Sequence, residues 1–329
     1  MKSSMKSFAR LAAGLLLTLS ALTTLAATPY PVKPIRLVVP LAPGGGGDLA
    51  GRVLASELTS ILGQNVFVEN RAGASSVIGS AFVAKAEPDG YTLLLITDFH
   101  SINEAMNRLG MIQSKLPYDS LKDFEPISQI LALQVMLVAS QKSGIKSIRV
   151  LAPKARAMNG AMTAGTPGAG SPHQLSFLKL QQMGGFDLVE VPFAGSGPAT
   201  TAVQSGEVDL AFAAAGQGLS MEKSGRVTAL AVSGLRRDVL APNVPTIAES
   251  GYPGFSIESW MGIVAPKGTP LEIVRQLNAA IIKAVAAPEV AQKFRAAGLT
   301  PVSGTREEFG ALIAQDVDKV TVIYKNVKK

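Results

Sequence analysis

One phrase repeats along this chain and limits its fold more than any other feature: a short β-rich run, a glycine-rich loop, then an amphipathic helix. It first appears as Ile35-Arg36-Leu37-Val38-Val39-Pro40, followed by Ala42-Pro43-Gly44-Gly45-Gly46-Gly47-Asp48 and a helical pattern through Leu62. It returns as a strand over 65–69, a loop over 72–76, a helix over 77–86 closed by Pro88-Asp89-Gly90, and a third strand over 91–97. Strands alternating with helices through short loops build a parallel sheet covered on both faces, so the expected class is α/β.

The apolar run 127–139 is longer than an ordinary strand and reads as a crossing between two lobes. A second α/β set follows it: strand 160–165, loop 166–171, helix 172–183, strand 188–192, helix 198–205, strand 208–213 and strand 227–233. A β-like run over 255–265 marks a second crossing. Helices over 269–285 and 288–297, each with a Pro near its first turn, and a helical region over 307–324 complete the chain. The expected domains are therefore a first lobe made of 28–130 and 257–329 and a second lobe of 131–256, each a mainly parallel sheet flanked by helices, joined by two crossover strands.

The first 27 residues have the order of a secretory signal: Lys2, Lys6 and Arg10, an apolar run from Leu11 to Leu25, then small residues at Ala26 and Ala27. Cleavage there places the mature protein in a bacterial periplasm. Without those three cations the chain keeps 28 basic against 24 acidic side chains, a net charge of about +4, too mild for a nucleic-acid surface. Hydrophobic residues make up 47% and charged residues 17%, enough to bury a large core. Cysteine is absent and histidine occurs twice, so thiol chemistry and zinc sites lack ligands; no metal and no cofactor is expected. Lys325, Lys328 and Lys329 read as a solvated tail.

Chemistry could reside in four glycine-rich strand-to-helix loops, 44–48, 73–76, 165–171 and 195–199, because glycine admits close approach of the main chain and helix starts carry partial positive charge. In an open α/β sheet such loops gather at the carboxyl ends of the strands, where ligands bind. A single glycine loop is more often a tight turn than a ligand cradle; four of them change that balance. Gly44 to Gly47 fits neither the P-loop nor the dinucleotide pattern. Asp48 stands where a helix N-cap belongs. His100, after the third strand with Asn103 one turn on, and His173, beside Ser171, could each donate to a carboxylate or only satisfy local backbone. No strained serine nucleophile is present, since Gly195-Ser196-Gly197 precedes a Pro, and no carboxylate pair is placed for acid–base work. Trp260 reads as core or hinge packing.

The strings Lys33-Pro34-Ile35-Arg36-Leu37-Val38-Val39-Pro40, Ala42-Pro43-Gly44-Gly45 with Asp48, Val68-Glu69-Asn70-Arg71 with Gly73, Ile78-Gly79 and Pro88-Asp89-Gly90-Tyr91-Thr92-Leu93 resemble the Bug-type substrate-binding proteins of tripartite tricarboxylate transporters. The resemblance continues through Leu116-Pro117-Tyr118-Asp119, Gly165-Thr166-Pro167-Gly168, Gly170-Ser171-Pro172-His173, Gly206-Glu207-Val208-Asp209, Val244-Pro245-Thr246 and Gly268-Thr269-Pro270. It implies a two-lobed periplasmic-binding-protein (Venus-flytrap) fold closing on a small carboxylate held by main-chain amides. The residues it points to are Pro43, Gly44, Gly45 and Gly46; Ser75 and Ser76; Thr97, His100 and Asn103; Thr166, Gly168, Ser171 and His173; Phe193, Gly195 and Pro198; and Ala213. It implies a monomer that delivers its ligand to transporter membrane subunits, or presents it to a signalling sensor. A hydrolase or transferase using the glycine loops as an anion cradle is the remaining alternative.

Three departures stand out. Phe212 is followed by Ala213, Ala214 and Ala215 where the family commonly has Phe-Asp, so the distal end of the ligand is expected to be neutral or apolar rather than an ammonium group. Ser75 and Ser76 stand where Gly-Gly is usual, and Ala72 where Pro is. The stretch 108–115 is longer than usual before Leu116.

Overall fold

The computed structural model describes residues 30–112, 114–168 and 171–327. The expected signal segment 1–27 lies outside them, as do Lys328 and Lys329. Tyr30 to Val32 enter no helix or strand, and the compact unit begins at Lys33.

Its first part follows the repeated phrase: β1 (Ile35–Val39), α1 (Gly46–Leu62), β2 (Val66–Asn70), α2 (Val77–Ala84), β3 (Thr92–Thr97) and α3 (Phe99–Arg108). β1 lies between β2 and β3, parallel to both, and is buried on both faces, which is why Ile-Arg-Leu-Val-Val reads as an almost unbroken apolar run. Then comes β4 (Phe124–Ser140), 17 residues long. The next set is α4 (Leu151–Ala157), β5 (Thr163–Thr166), α5 (Pro172–Gly184), β6 (Val189–Pro192), α6 (Ser196–Ser205), β7 (Leu210–Ala214), α7 (Ala215–Lys223) and β8 (Val227–Val232). The chain returns through β9 (Glu258–Pro266) to α8 (Leu271–Ala286), α9 (Pro288–Ala296), β10 (Thr300–Pro301) and α10 (Arg306–Val327). Helices α3, α4 and α7 and the two-residue β10 are not anticipated by the sequence pattern.

β4 organises the molecule. From Phe124 to Gln134 it pairs with β9, and from Val135 onward with β7 on one side and β8 on the other. The first sheet has the order β2-β1-β3-β9-β4-β10, the second β6-β5-β7-β4-β8. Strand directions follow from the pairings. β9 is antiparallel to both β3 and β4, so β1, β2 and β3 run the same way as β4, toward the second lobe. β7 is antiparallel to β4 and parallel to β5, which is parallel to β6, so these three run back toward the first lobe. The carboxyl ends of the two parallel sets therefore face one another across the junction. Thr97 pairs with Met261 and Met261 with Leu131, while Ala214 pairs with Val135. Four residue steps along β4, from Leu131 to Val135, separate the two ends, about 13 Å at 3.3 Å per residue.

Packing holds the junction. Ser233 donates its N–H to the Val135 carbonyl at 2.9 Å and accepts the Val135 N–H on its hydroxyl at 3.1 Å, and Ile257 donates to the Ser233 carbonyl at 3.0 Å. Trp260, on β9, is buried, edge-on to Phe309 at 5.6 Å, with its Nε1–H on Asp316 Oδ2 at 3.0 Å. It is a packing residue at the crossover. Among the described residues no helix is long and apolar enough to cross a membrane.

Candidate functional site

The first rim is built from the β1–α1 and β2–α2 loops. Pro43 to Gly46 are exposed, Gly44 takes a positive φ of 85°, and Gly45 is the N-cap of α1. Asp48 is therefore not the N-cap but the third helical residue, and it folds back over the helix start. Its Oδ2 accepts Arg52 Nε–H and the Gly44 N–H, each at 3.0 Å, and its Oδ1 accepts Asn70 Nδ2–H at 2.9 Å. The Arg52 hydrogen bond, then that of Gly44, hold this carboxyl at about 2, so its charge is consumed by the loop it braces. The amides of the first turn of α1 have no partner within the helix, the arrangement that suits an incoming anion.

In the second loop Ala74, Ser75 and Ser76 all have positive φ, at 47°, 50° and 76°. Three successive L-residues in the left-handed region are costly, and the structure accepts the cost to turn the chain into α2. Ser75 is exposed; Ser76, the N-cap of α2, is buried and its Oγ meets no hydrogen-bond partner among the described residues. Asn103, on α3, fixes the loop by donating Nδ2–H to the Ser75 carbonyl at 2.8 Å. Thr97, at the end of β3, accepts the Phe99 N–H on its hydroxyl at 3.3 Å.

The opposite rim comes from the ends of β5, β6 and β7. Thr166 is fully buried; its Oγ1 donates to Glu190 Oε1 at 2.7 Å and accepts the Gly168 N–H at 3.2 Å. It holds the loop and presents no open hydroxyl. Gln174 donates to the other oxygen of Glu190 at 2.9 Å, so this exposed carboxylate ties β5, α5 and β6 together, a role that has no signature in the sequence. Ser171 caps α5, its Oγ accepting the Gln174 N–H at 3.2 Å. His173, two residues on, is half-buried with Nδ1 enclosed and without a partner among the described residues, and burial pushes its pKa down to about 4. Phe193 donates its N–H to the Thr166 carbonyl at 2.8 Å, and Gly195, at φ 114°, starts α6 with Pro198 exposed in its first turn.

Two expected site residues lie elsewhere. His100 is in the core, 3% exposed, stacked on Tyr118 and edge-on to Phe124, with Nε2 2.9 Å from the Ser120 carbonyl oxygen. Burial lowers its pKa to about 4, so the ring is neutral and its contacts are local backbone and aromatic faces. Ala213 is also fully buried, because β7 is covered on both faces and each residue before its end meets one core or the other; Ala214, the last of the strand, is the exposed member of the alanine run.

A family model described as the tripartite tricarboxylate transporter family receptor, TctC, matches residues 50–328. The protein BugT of Bordetella pertussis is 36% identical over 291 residues, 88% of each chain. Among solved structures, Rpa4515 of R. palustris with adipate is 28% identical with a TM-score of 0.76, over 90% of this chain and 97% of that one. MatC of Rhodopseudomonas palustris with bound malate is 30% identical with a TM-score of 0.73, over 89% and 99%. Family match, sequence identity and fold agree over nearly the whole described chain, which is a two-lobed periplasmic-binding-protein fold. The chain belongs to the tripartite tricarboxylate transporter receptor family, as a Bug-type solute-binding protein.

Proposed function

We propose that this protein is a periplasmic receptor that captures a small organic carboxylate between its lobes and hands it on, unaltered, to transporter membrane subunits. One observation carries the reading: the carboxyl ends of two parallel strand sets face each other across β4, and both bear loops that lead into helix N-termini. Desolvating a carboxylate is costly unless donors replace its water, and preset amides do so without a buried cation. Gly45, Gly46, Ser75 and Ser76 on one rim and the first turn of α6 on the other are the amide donors in this reading, since the N–H groups of Gly44, Gly168, Ser171 and Gly195 are spent on Asp48, Thr166, Gly168 and Phe193, and Ser171 and His173 line their edge. The relatives bound to malate and adipate make a carboxylate the natural ligand class. No covalent step is part of the function, and both imidazoles, neutral at working pH, serve as packing or hydrogen-bonding groups.

Calorimetric titration of the purified mature protein with a panel of mono- and dicarboxylates tests this. At least one acid is expected to bind at low-micromolar affinity or tighter and to be recovered unchanged. A panel in which an amino acid bound far more tightly than every organic acid would refute a neutral distal end of the ligand.

A further inference from the structure

Next to the first rim the structure has a cavity of about 470 Å³ that the amide loops do not account for. Ala74 and Ser75 of the β2–α2 loop border it, and most of its wall is carbon, from Phe99, Ile102, Met106, Ile112 and Leu116. Asn103 also borders it, but its Nδ2 is committed to the Ser75 carbonyl. Among the described residues no acidic side chain and no arginine lines the space, and the one cation among them, Lys115, is exposed. A charged second end of a ligand would find little beyond the hydroxyls of Ser75 and Ser114 and the exposed Lys115 to replace its hydration there, whereas an apolar one gains about 25 cal/mol for each Å² removed from water. Size points the same way. A dry apolar cavity of about 150 Å³ already takes up benzene, so this one has room for a ring or a medium-length alkyl chain. It is within the range of volumes, and has the mainly apolar lining with few polar groups, that small-molecule sites show.

We infer that the ligand is a carboxylate with an aromatic or aliphatic tail, its carboxylate on the amide loops and its tail in the cavity beside Ser75. This rests on the carboxylate reading above and narrows it to a substrate class. Ile112, Ser114 and Lys115 in the lining belong to the segment that is longer than usual before Leu-Pro-Tyr-Asp, so the extension has a use: it walls an apolar space.

Phenylacetate and octanoate, against malate, adipate and acetate, are the probes, titrated into the wild-type protein, Ile112→Asp and Met106→Trp. Ile112 is half-buried on a loop and Met106 half-buried on α3, so one variant adds a charge and the other fills the space, and thermal melting identifies any variant that does not fold. At least one of the two apolar-tailed acids is expected to bind at least tenfold more tightly than malate and to lose at least tenfold in either folded variant, while acetate and malate change by less than twofold. Malate or adipate binding as tightly as phenylacetate and octanoate, or folded variants that leave those two unaffected, would overturn the inference while leaving a carboxylate receptor intact. If no acid in the panel binds, the carboxylate reading fails and this one with it.

Discussion

Single residues on the rims do two jobs at once, which makes their substitution effects divisible. Ser171 caps α5, so Ser171→Ala removes a helix cap worth about 1 kcal/mol in addition to any ligand contact. A denaturant titration is expected to show that loss in the absence of ligand, and calorimetry a further loss of affinity. For His173→Ala the ring fills half-buried space without a cap, and binding is expected to fall more than stability. The loop 74–76 gives a test of backbone strain. Ala74 holds φ at 47° with a Cβ that favours negative values, so Ala74→Gly is expected to raise unfolding free energy by about 1 kcal/mol, read from the urea midpoint. That strain was half legible beforehand: serines at 75 and 76 where glycines are usual mark a place where the chain needs the left-handed region. The fate of His100 was not legible, because a histidine after a strand end has the same sequence signature whether its ring turns to the rim or, as here, into an aromatic pocket.

At the scale of elements, the strand–loop–helix phrase was readable wherever a glycine loop separated its parts, and the 17-residue β4 was readable by its length. Helices α3, α4 and α7 lack those marks. α3 follows β3 with only Asp98 between them, α4 carries a Pro in its first turn, and α7 contains two glycines that weaken helix propensity. What holds α10 against the sheet is also invisible in the sequence. Gly262, on β9, leaves no room for a methyl group: a Cβ there would stand 2.1 Å from Phe309 Cζ. Gly262→Ala is expected to destabilise the fold by about 1–3 kcal/mol, the usual cost of overpacking, with Phe309 displaced from Trp260. Trp260 is the sole tryptophan, so its fluorescence reports that displacement in the folded variant directly.

For the whole molecule the informative quantity is stability against pH, because two buried titratable groups and the half-buried His173 act in opposite senses. Asp98, between β3 and α3, is pushed up to about 7 by burial; the Ser259 hydroxyl on β9 donates to it, and the Asp316 carboxylate and Lys319 of α10 face it. Its folded pKa lies above the unfolded value, so the stability linked to its proton is complete at acid pH and is lost as pH rises from about 4 through 7. His100 and His173 have folded values near 4, below the unfolded 6.5, so stability linked to them is complete above 6.5 and is lost as pH falls toward 4. Asparagine resembles the protonated aspartic acid, so Asp98→Asn removes the first dependence and leaves the second. Of the two pH values, the variant is expected to match the wild type more nearly at pH 5 and to exceed it at pH 8, the gap growing by about 2.5 kcal/mol over that interval. Urea midpoints at the two pH values measure it, and a gap that stayed constant would show that Asp98 is ionised throughout. Because Asp98 joins the end of β3 to the crossover strand β9 through Ser259, the same proton also bears on the junction between the lobes.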